Sequence, residues 1–182
     1  MVIPSTHFFS NISSLILSDT DHHLSIEPLI NFLKSILNLH RIVELKLGQF
    51  HHPDFIEILC KHMPKLRSIR MRETMLIQLE KINFQNITML SICDCLTNVE
   101  RMYSMFPSVK YLCIKVTNLE QMKQVIQLYE KSLINVSFRL INHDLQEQFI
   151  QWLYKYCDES HRFSYDTDEH MNLHIWLNDL SV

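Results

Sequence analysis

The chain of 182 residues contains a single glycine, Gly48, and no alanine. Loops that cradle phosphate need several glycines so that the backbone can approach the ligand, so a P-loop and a dinucleotide-binding fingerprint are both excluded. Charge of one sign is lacking as well. With 17 Lys and Arg against 20 Asp and Glu, the formal charge is -3, which offers no broad attraction to nucleic acid or to an anionic membrane. No apolar run nears the length that spans a bilayer, and Met1 to Ser18 has no basic stretch ahead of its apolar residues. Secretion and membrane insertion are therefore not expected. Cys60, Cys93, Cys95, Cys113 and Cys157 are odd in number and form no CxxC pair. Reduced thiols in a cytoplasmic or nuclear protein fit that usage.

What is present is a period. Six times an apolar residue is followed three and then five positions later by two more: Ile12-Leu15-Leu17, Ile42-Leu45-Leu47, Leu66-Ile69-Met71, Ile87-Leu90-Ile92, Val109-Leu112-Ile114 and Leu133-Val136-Phe138. The middle residues are 30, 24, 21, 22 and 24 apart. This is the strand signature and spacing of a leucine-rich repeat, with only the first interval long.

Between the triplets lie segments of helical period. Leu29, Leu33, Ile36 and Leu37 share one face; Phe55, Ile56, Leu59, Cys60 and Met63 share another, entered at Pro53. Thr97-x-x-Glu100 and Asn118-x-x-Gln121 read as capping boxes ahead of two further stripes. Thr74 to Ile82 is apolar enough for a short helix but has no cap. Strand, helix and strand in repetition require successive strands to run parallel. Past Ile141 a helix carrying Leu145, Phe149, Trp152, Leu153 and Tyr156 follows Asp144-x-x-Glu147. Phe163/Tyr165 and Leu173/Ile175/Leu177 then alternate as strands about a polar turn. The expectation is an α/β leucine-rich-repeat-like solenoid with a parallel concave sheet, outer helices and a C-terminal helix-hairpin cap. Residues 1–142 form the solenoid and 143–182 the cap, within one domain.

Candidate sites follow from this register. Cys93-x-Cys95 and Cys60-x-His62 are the nearest approach to zinc-ligand spacing, but Cys60 falls on an inward helical stripe and Cys95 at a turn position. Neither a metal nor a cofactor is expected. None of the 11 histidines sits in a hydrolase motif, so no catalytic residue is assigned. Along a strand, side chains alternate between faces, so residues between the core positions point to the concave side. Those positions hold Lys46, Arg70, Arg72, Lys115 and Arg139 against a single acid, Glu44. Together with Tyr111 the five basic residues form the expected partner-binding face, suited to an acidic segment of a protein.

Met63-Pro64-Lys65-Leu66-Arg67-Ser68-Ile69-Arg70-Met71 and Phe106-Pro107-Ser108-Val109-Lys110-Tyr111-Leu112-Cys113-Ile114 resemble the FPxLxxLxL junction of leucine-rich repeats in F-box-type proteins, within the ribonuclease-inhibitor-like superfamily. Cys95 matches that family's turn cysteine, and the tail from His161 to Trp176 resembles its C-terminal caps. The resemblance covers roughly residues 12 to 177. It implies a non-enzymatic protein-interaction module, the substrate-receptor part of a ubiquitin ligase. The chain begins almost at the first repeat strand, so no F-box is seen, and a ligase adaptor is expected as a partner only if one is encoded upstream. An enzyme or zinc-binding protein on the same repeat scaffold is the alternative.

Overall fold

In the computed structural model each apolar triplet ends in a short strand whose residues alternate between a buried and an open side. The structure describes residues 9, 11–17, 26–48, 53–79, 82–157, 163–170 and 172–177. Two units, Met1–Ile82 and Asn83–Val182, each carry their own strands, helices and core.

In the first unit β1 (Ser14–Leu17), β2 (Glu44–Leu47) and β3 (Ser68–Met71) pair in parallel, with Leu15, Leu45 and Ile69 opposite one another. These are the middle residues of the first three triplets. The helices between them are α1 (Ile26–Ile36), α2 (Pro53–Lys61) and α3 (Glu73–Gln78). Proline opens α2, where its missing N–H costs nothing. The inward stripes of Ile30 and Leu33 on α1 and Phe55, Ile56 and Leu59 on α2 are buried along with Leu45 and Ile69. The long first interval contains a 3-10 turn, Leu39–Arg41, inserted between α1 and β2. The uncapped stretch beginning near Thr74 does become a helix, α3, whose N-cap residue Arg72 makes no side-chain capping hydrogen bond.

The second unit repeats the pattern with β4 (Met89–Cys95), α4 (Val99–Met105), β5 (Tyr111–Lys115), α5 (Leu119–Leu128) and β6 (Asn135–Arg139). Leu90, Leu112 and Val136 are aligned across three parallel strands. Then α6 (His143–Tyr156) leads to the hairpin of β7 (Phe163–Thr167) and β8 (Asn172–Leu177). The second hairpin strand, β8, is the one that reaches β6, and it does so antiparallel, from Asn135 opposite Trp176 to Arg139 opposite Asn172. The sheet is therefore mixed: the expected parallel concave sheet is extended by the hairpin cap, which joins it antiparallel. A hairpin reverses direction at its turn, so one of its strands must oppose the repeats. The hairpin does cover the edge of β6, and β7 pairs outside β8.

The caps lie close to the expected places, with shifts of a residue or two. On α5 Asn118 accepts from Gln121 N at 3.0 Å, as its spacing predicts. The side-chain Oε1 of Gln121 accepts from Thr117 N at 3.0 Å, and its Nε2 donates to Leu96 O at 2.7 Å. On α4 the cap is Asn98, accepting from Arg101 N at 2.8 Å, where Thr97 was expected. On α6 it is Asn142, accepting from Leu145 N at 2.9 Å, ahead of Asp144. A short asparagine reaches the third amide as well as threonine or aspartate does, so spacing alone does not choose between neighbours. The helices pack on the strand face that holds Leu112, Ile114 and Phe138, all buried; Phe138 meets Phe149 of α6 edge-on at 5.4 Å. Among the described residues no helix is long and apolar enough to cross a membrane.

Candidate interaction surface

The side of each sheet away from its helices is lined by the alternate strand residues. In the first unit Ser14, Glu44 and Ser68 form one row and Ile16, Lys46 and Arg70 the next. Ser14 Oγ donates to Glu44 Oε2 at 2.7 Å, and Lys46 Nζ lies 3.3 Å from the same oxygen. The serine hydroxyl holds the Glu44 carboxyl below its usual range; burial opposes it, and Lys46 and then Arg70 add to the lowering. Lys46 and Arg70 thus meet as expected, but they surround an acid that takes up part of their charge. Arg72 is exposed in extended backbone between β3 and α3.

In the second unit three rows cross the strands. Met89, Tyr111, Asn135, Trp176 and Ser164 make the first; Ser91, Cys113, Ser137, His174 and Asp166 the second; Cys95, Lys115, Arg139 and Asn172 the third. The first row is strongly apolar for an open surface: Met89, Tyr111 and Trp176 are 48%, 43% and 40% exposed. Asn135 between them donates through Nδ2 to Ile175 O at 3.1 Å, tying β6 to β8.

The third row depends on an irregularity. Cys113 and Lys115 flank one residue, whereas their partners Ser91 and Cys95 flank three, so β4 bulges over Ile92 to Asp94. Cys95 is accordingly a strand residue opposite Lys115, and its expected place at a turn is corrected. The Arg139 guanidinium reaches across β5 and donates to the carbonyl of Ile92 in this bulge. Arg139 and Lys115 are cross-strand neighbours, as the register predicts. Part of the Arg139 guanidinium is spent on the sheet's own backbone, leaving fewer of its donors for a ligand.

The hairpin turn is built on Asp168. Its Oδ1 accepts from the amides of His170 and Asn172, each at 2.9 Å, and its Oδ2 from Asn172 Nδ2 at 2.7 Å, with His174 Nε2 3.4 Å away. The Asn172 side chain and backbone, and then the His170 amide and His174, hold its carboxyl well below the usual carboxylate range. Ser137 stands opposite His174, which gives the three residue types of a hydrolase triad. Among the described residues no hydrogen bond joins Ser137 to His174, and both oxygens of the aspartate are used in shaping the turn.

Of the zinc-spaced pairs, Cys60 is a poor ligand where it stands, since desolvation pushes its thiol up to about 12 and metal binding takes the thiolate. Desolvation, and then the charges of Lys34 and His40, lower His62. Among the described residues no three His, Cys, Asp or Glu side chains are grouped as metal ligands would be. Trp176 and His174 on the open face went unassigned in the sequence because they lie outside the repeats. The alternation of Leu173, Ile175 and Leu177 was the signal that places them there, since residues between buried positions face the other way. No family model, no curated protein and no solved structure matches the chain.

Proposed function

We propose that the chain is a leucine-rich-repeat-like solenoid that serves as a non-enzymatic protein-interaction module and binds its partner on the helix-free face of the sheet. The observation that carries this reading is the row that brings Met89 of β4, Tyr111 of β5 and, beyond Asn135 of β6, Trp176 of β8 into line, three large apolar side chains left open to water. Such residues cost solubility when exposed, and tyrosine and tryptophan are the side chains from which binding hot spots are most often made. Lys115, two rows from Tyr111 on the same strand, supplies positive charge that favours an acidic segment of the partner; within the first unit Arg70 and Arg72 offer positive charge of their own. In keeping with the F-box resemblance, that partner is a ubiquitin-ligase substrate, and an adaptor subunit joins when an F-box precedes these repeats.

The test is reconstitution with a purified partner found by photocrosslinking from Tyr111. Trp176→Ser and Tyr111→Ser should each weaken binding at least tenfold with the unfolding midpoint unchanged, as loss of a hot-spot aromatic does. Association should slow as salt rises, because the steering charges are exposed and screened over about 8 to 10 Å. Unchanged affinity in both variants would remove the face from the function.

A further inference from the structure

Three of the chain's five cysteines, Cys93 and Cys95 of β4 and Cys113 of β5, lie on neighbouring strands of the second unit, each half-buried and each a thiol. The register ranks their separations. Neighbouring strands are about 4.8 Å apart and each residue advances about 3.3 Å along its strand, so in a regular ladder Cys93, two residues beyond the partner of Cys113, would be about 8 Å from it. A disulfide joins Cα atoms about 4.4 to 6.8 Å apart, and that diagonal is too long. The bulge changes this. Ser91 is opposite Cys113 and Cys95 is opposite Lys115, so four steps of β4 cover the length of two steps of β5. Cys93, midway along those four, advances only one step of β5 beyond Cys113, which brings the two Cα atoms to about 6 Å. Cys95 keeps the full two-step offset. The Arg139 guanidinium, donating to the carbonyl of Ile92, holds the bulge in this shape, and Ile92 is wholly buried where Cys93 keeps contact with water.

We infer that Cys93 and Cys113 form a reversible dithiol-disulfide pair, a redox site built by the bulge of β4. The pair does not rest on the partner-binding reading of the sheet face. Its oxidant is a small disulfide, of which glutathione disulfide is the simplest. One cysteine thiolate attacks that disulfide, forming an S–S bond to the protein and expelling one glutathione thiolate. The other cysteine thiolate then attacks the protein sulfur of this mixed disulfide, forming the Cys93–Cys113 bond and expelling the second glutathione. The two protons of the protein thiols end on the two glutathiones, and the two electrons lost by the pair are those that the glutathione disulfide gains. A bond across a distorted ladder at a half-buried position is of the strained or exposed kind that reduces readily, so it follows the surrounding thiol balance instead of acting as a permanent staple. Cys60 on α2 belongs to the other unit and Cys157 ends α6, so neither has a cysteine opposite it on a neighbouring strand.

Equilibration of the full chain in glutathione buffers of graded oxidation, followed by acid quenching, alkylation and peptide mapping by mass spectrometry, tests the assignment. Digestion with trypsin and with a protease that cuts before aspartate separates Cys93 from Cys95 at Asp94, so the linked peptides name the pair. The wild type should show a Cys93–Cys113 link within one chain that fills as the buffer becomes oxidising and empties again in excess glutathione. Cys113→Ser should leave Cys93 carrying glutathione with no internal link, whereas Cys95→Ser should keep the link, both with an unaltered circular dichroism spectrum. The mapping of the wild type decides the matter even where a variant fails to fold. A link between Cys93 and Cys95, links only between chains, glutathione on single cysteines without a link, or a Cys93–Cys113 link that survives excess glutathione would each overturn the inference.

Discussion

At the scale of single residues, burial and hydrogen bonding separate side chains that the sequence presents as alike. Leu112 is 2% exposed at the centre of β5, so Leu112→Ala should cost about 2 to 5 kcal/mol in denaturant unfolding, as core truncations do. Tyr129 is buried against Tyr103, edge-on at 5.0 Å, yet its hydroxyl has no hydrogen-bond partner among the described residues. Desolvation raises its phenol further above the ordinary value. Tyr129→Phe should accordingly be neutral or stabilising, within about 1 kcal/mol, because it removes a polar atom that is desolvated without return. Asp168 makes the opposite case. Its folded-state pKa is depressed, so the ionised carboxylate stabilises the turn at every pH above its unfolded-state value near 4. That contribution fades as pH falls from there through the depressed folded-state value. The difference in stability between the wild type and Asp168→Ala should shrink as pH falls below about 4, where the carboxylate begins to take up its proton in the unfolded chain. Denaturant melts at a series of pH values read this directly, and a difference that instead grew on acidification would show that the carboxylate does not hold the turn in its ionised form.

At the scale of elements, asparagines begin three helices of the second unit. Asn142 caps the 14-residue helix α6, and Asn142→Ala should cost about 1 kcal/mol while Asn142→Ser retains most of the stability. Asn98→Ala should behave alike on α4. The spacing Thr97-x-x-Glu100 pointed to the right turn of chain and to the neighbouring residue, because both positions offer a short polar side chain and only the backbone angles of the formed helix decide which one reaches the third amide. The bulge in β4 was hidden for a related reason. Its triplet Ile87-Leu90-Ile92 is regular, and the shift begins only after Ser91, where β4 takes up residues that the register had placed in a turn. Arg139 then serves the carbonyl that the bulge leaves over. Arg139→Met should destabilise the protein by about 1 to 3 kcal/mol, the cost of stranding a partly buried acceptor, where an exposed arginine would cost nothing measurable.

At the scale of the whole molecule, the hairpin is what keeps β6 from being an edge. Deleting the chain after Asn142 removes α6, β7 and β8 together, uncovering the backbone of β6 and the face of Phe138 that Phe149 covers. The shortened protein should aggregate, which light scattering after size exclusion would reveal. A monodisperse, cooperatively melting 1–142 fragment would mean that the repeats close by themselves.

The repeat was legible because strand alternation and helical period both leave marks in the order of apolar residues. From that order alone came the parallel strands, their register at Leu15, Leu45 and Ile69 and again at Leu90, Leu112 and Val136, and the helices between them. The alternation also set which side chains face away from the helices, Lys46, Arg70, Tyr111 and Lys115 among them. Other features depend on residues far apart in the chain and have no period to betray them. The antiparallel docking of β8, which carries Trp176 into line with Tyr111, is one. The capture of the Arg139 guanidinium by Ile92 is another, and the bulge that draws Cys93 towards Cys113 a third. Local pattern decides what a segment becomes and which of its faces is apolar. Only the folded chain decides which segments meet, and hence which of the exposed side chains remain available to a partner.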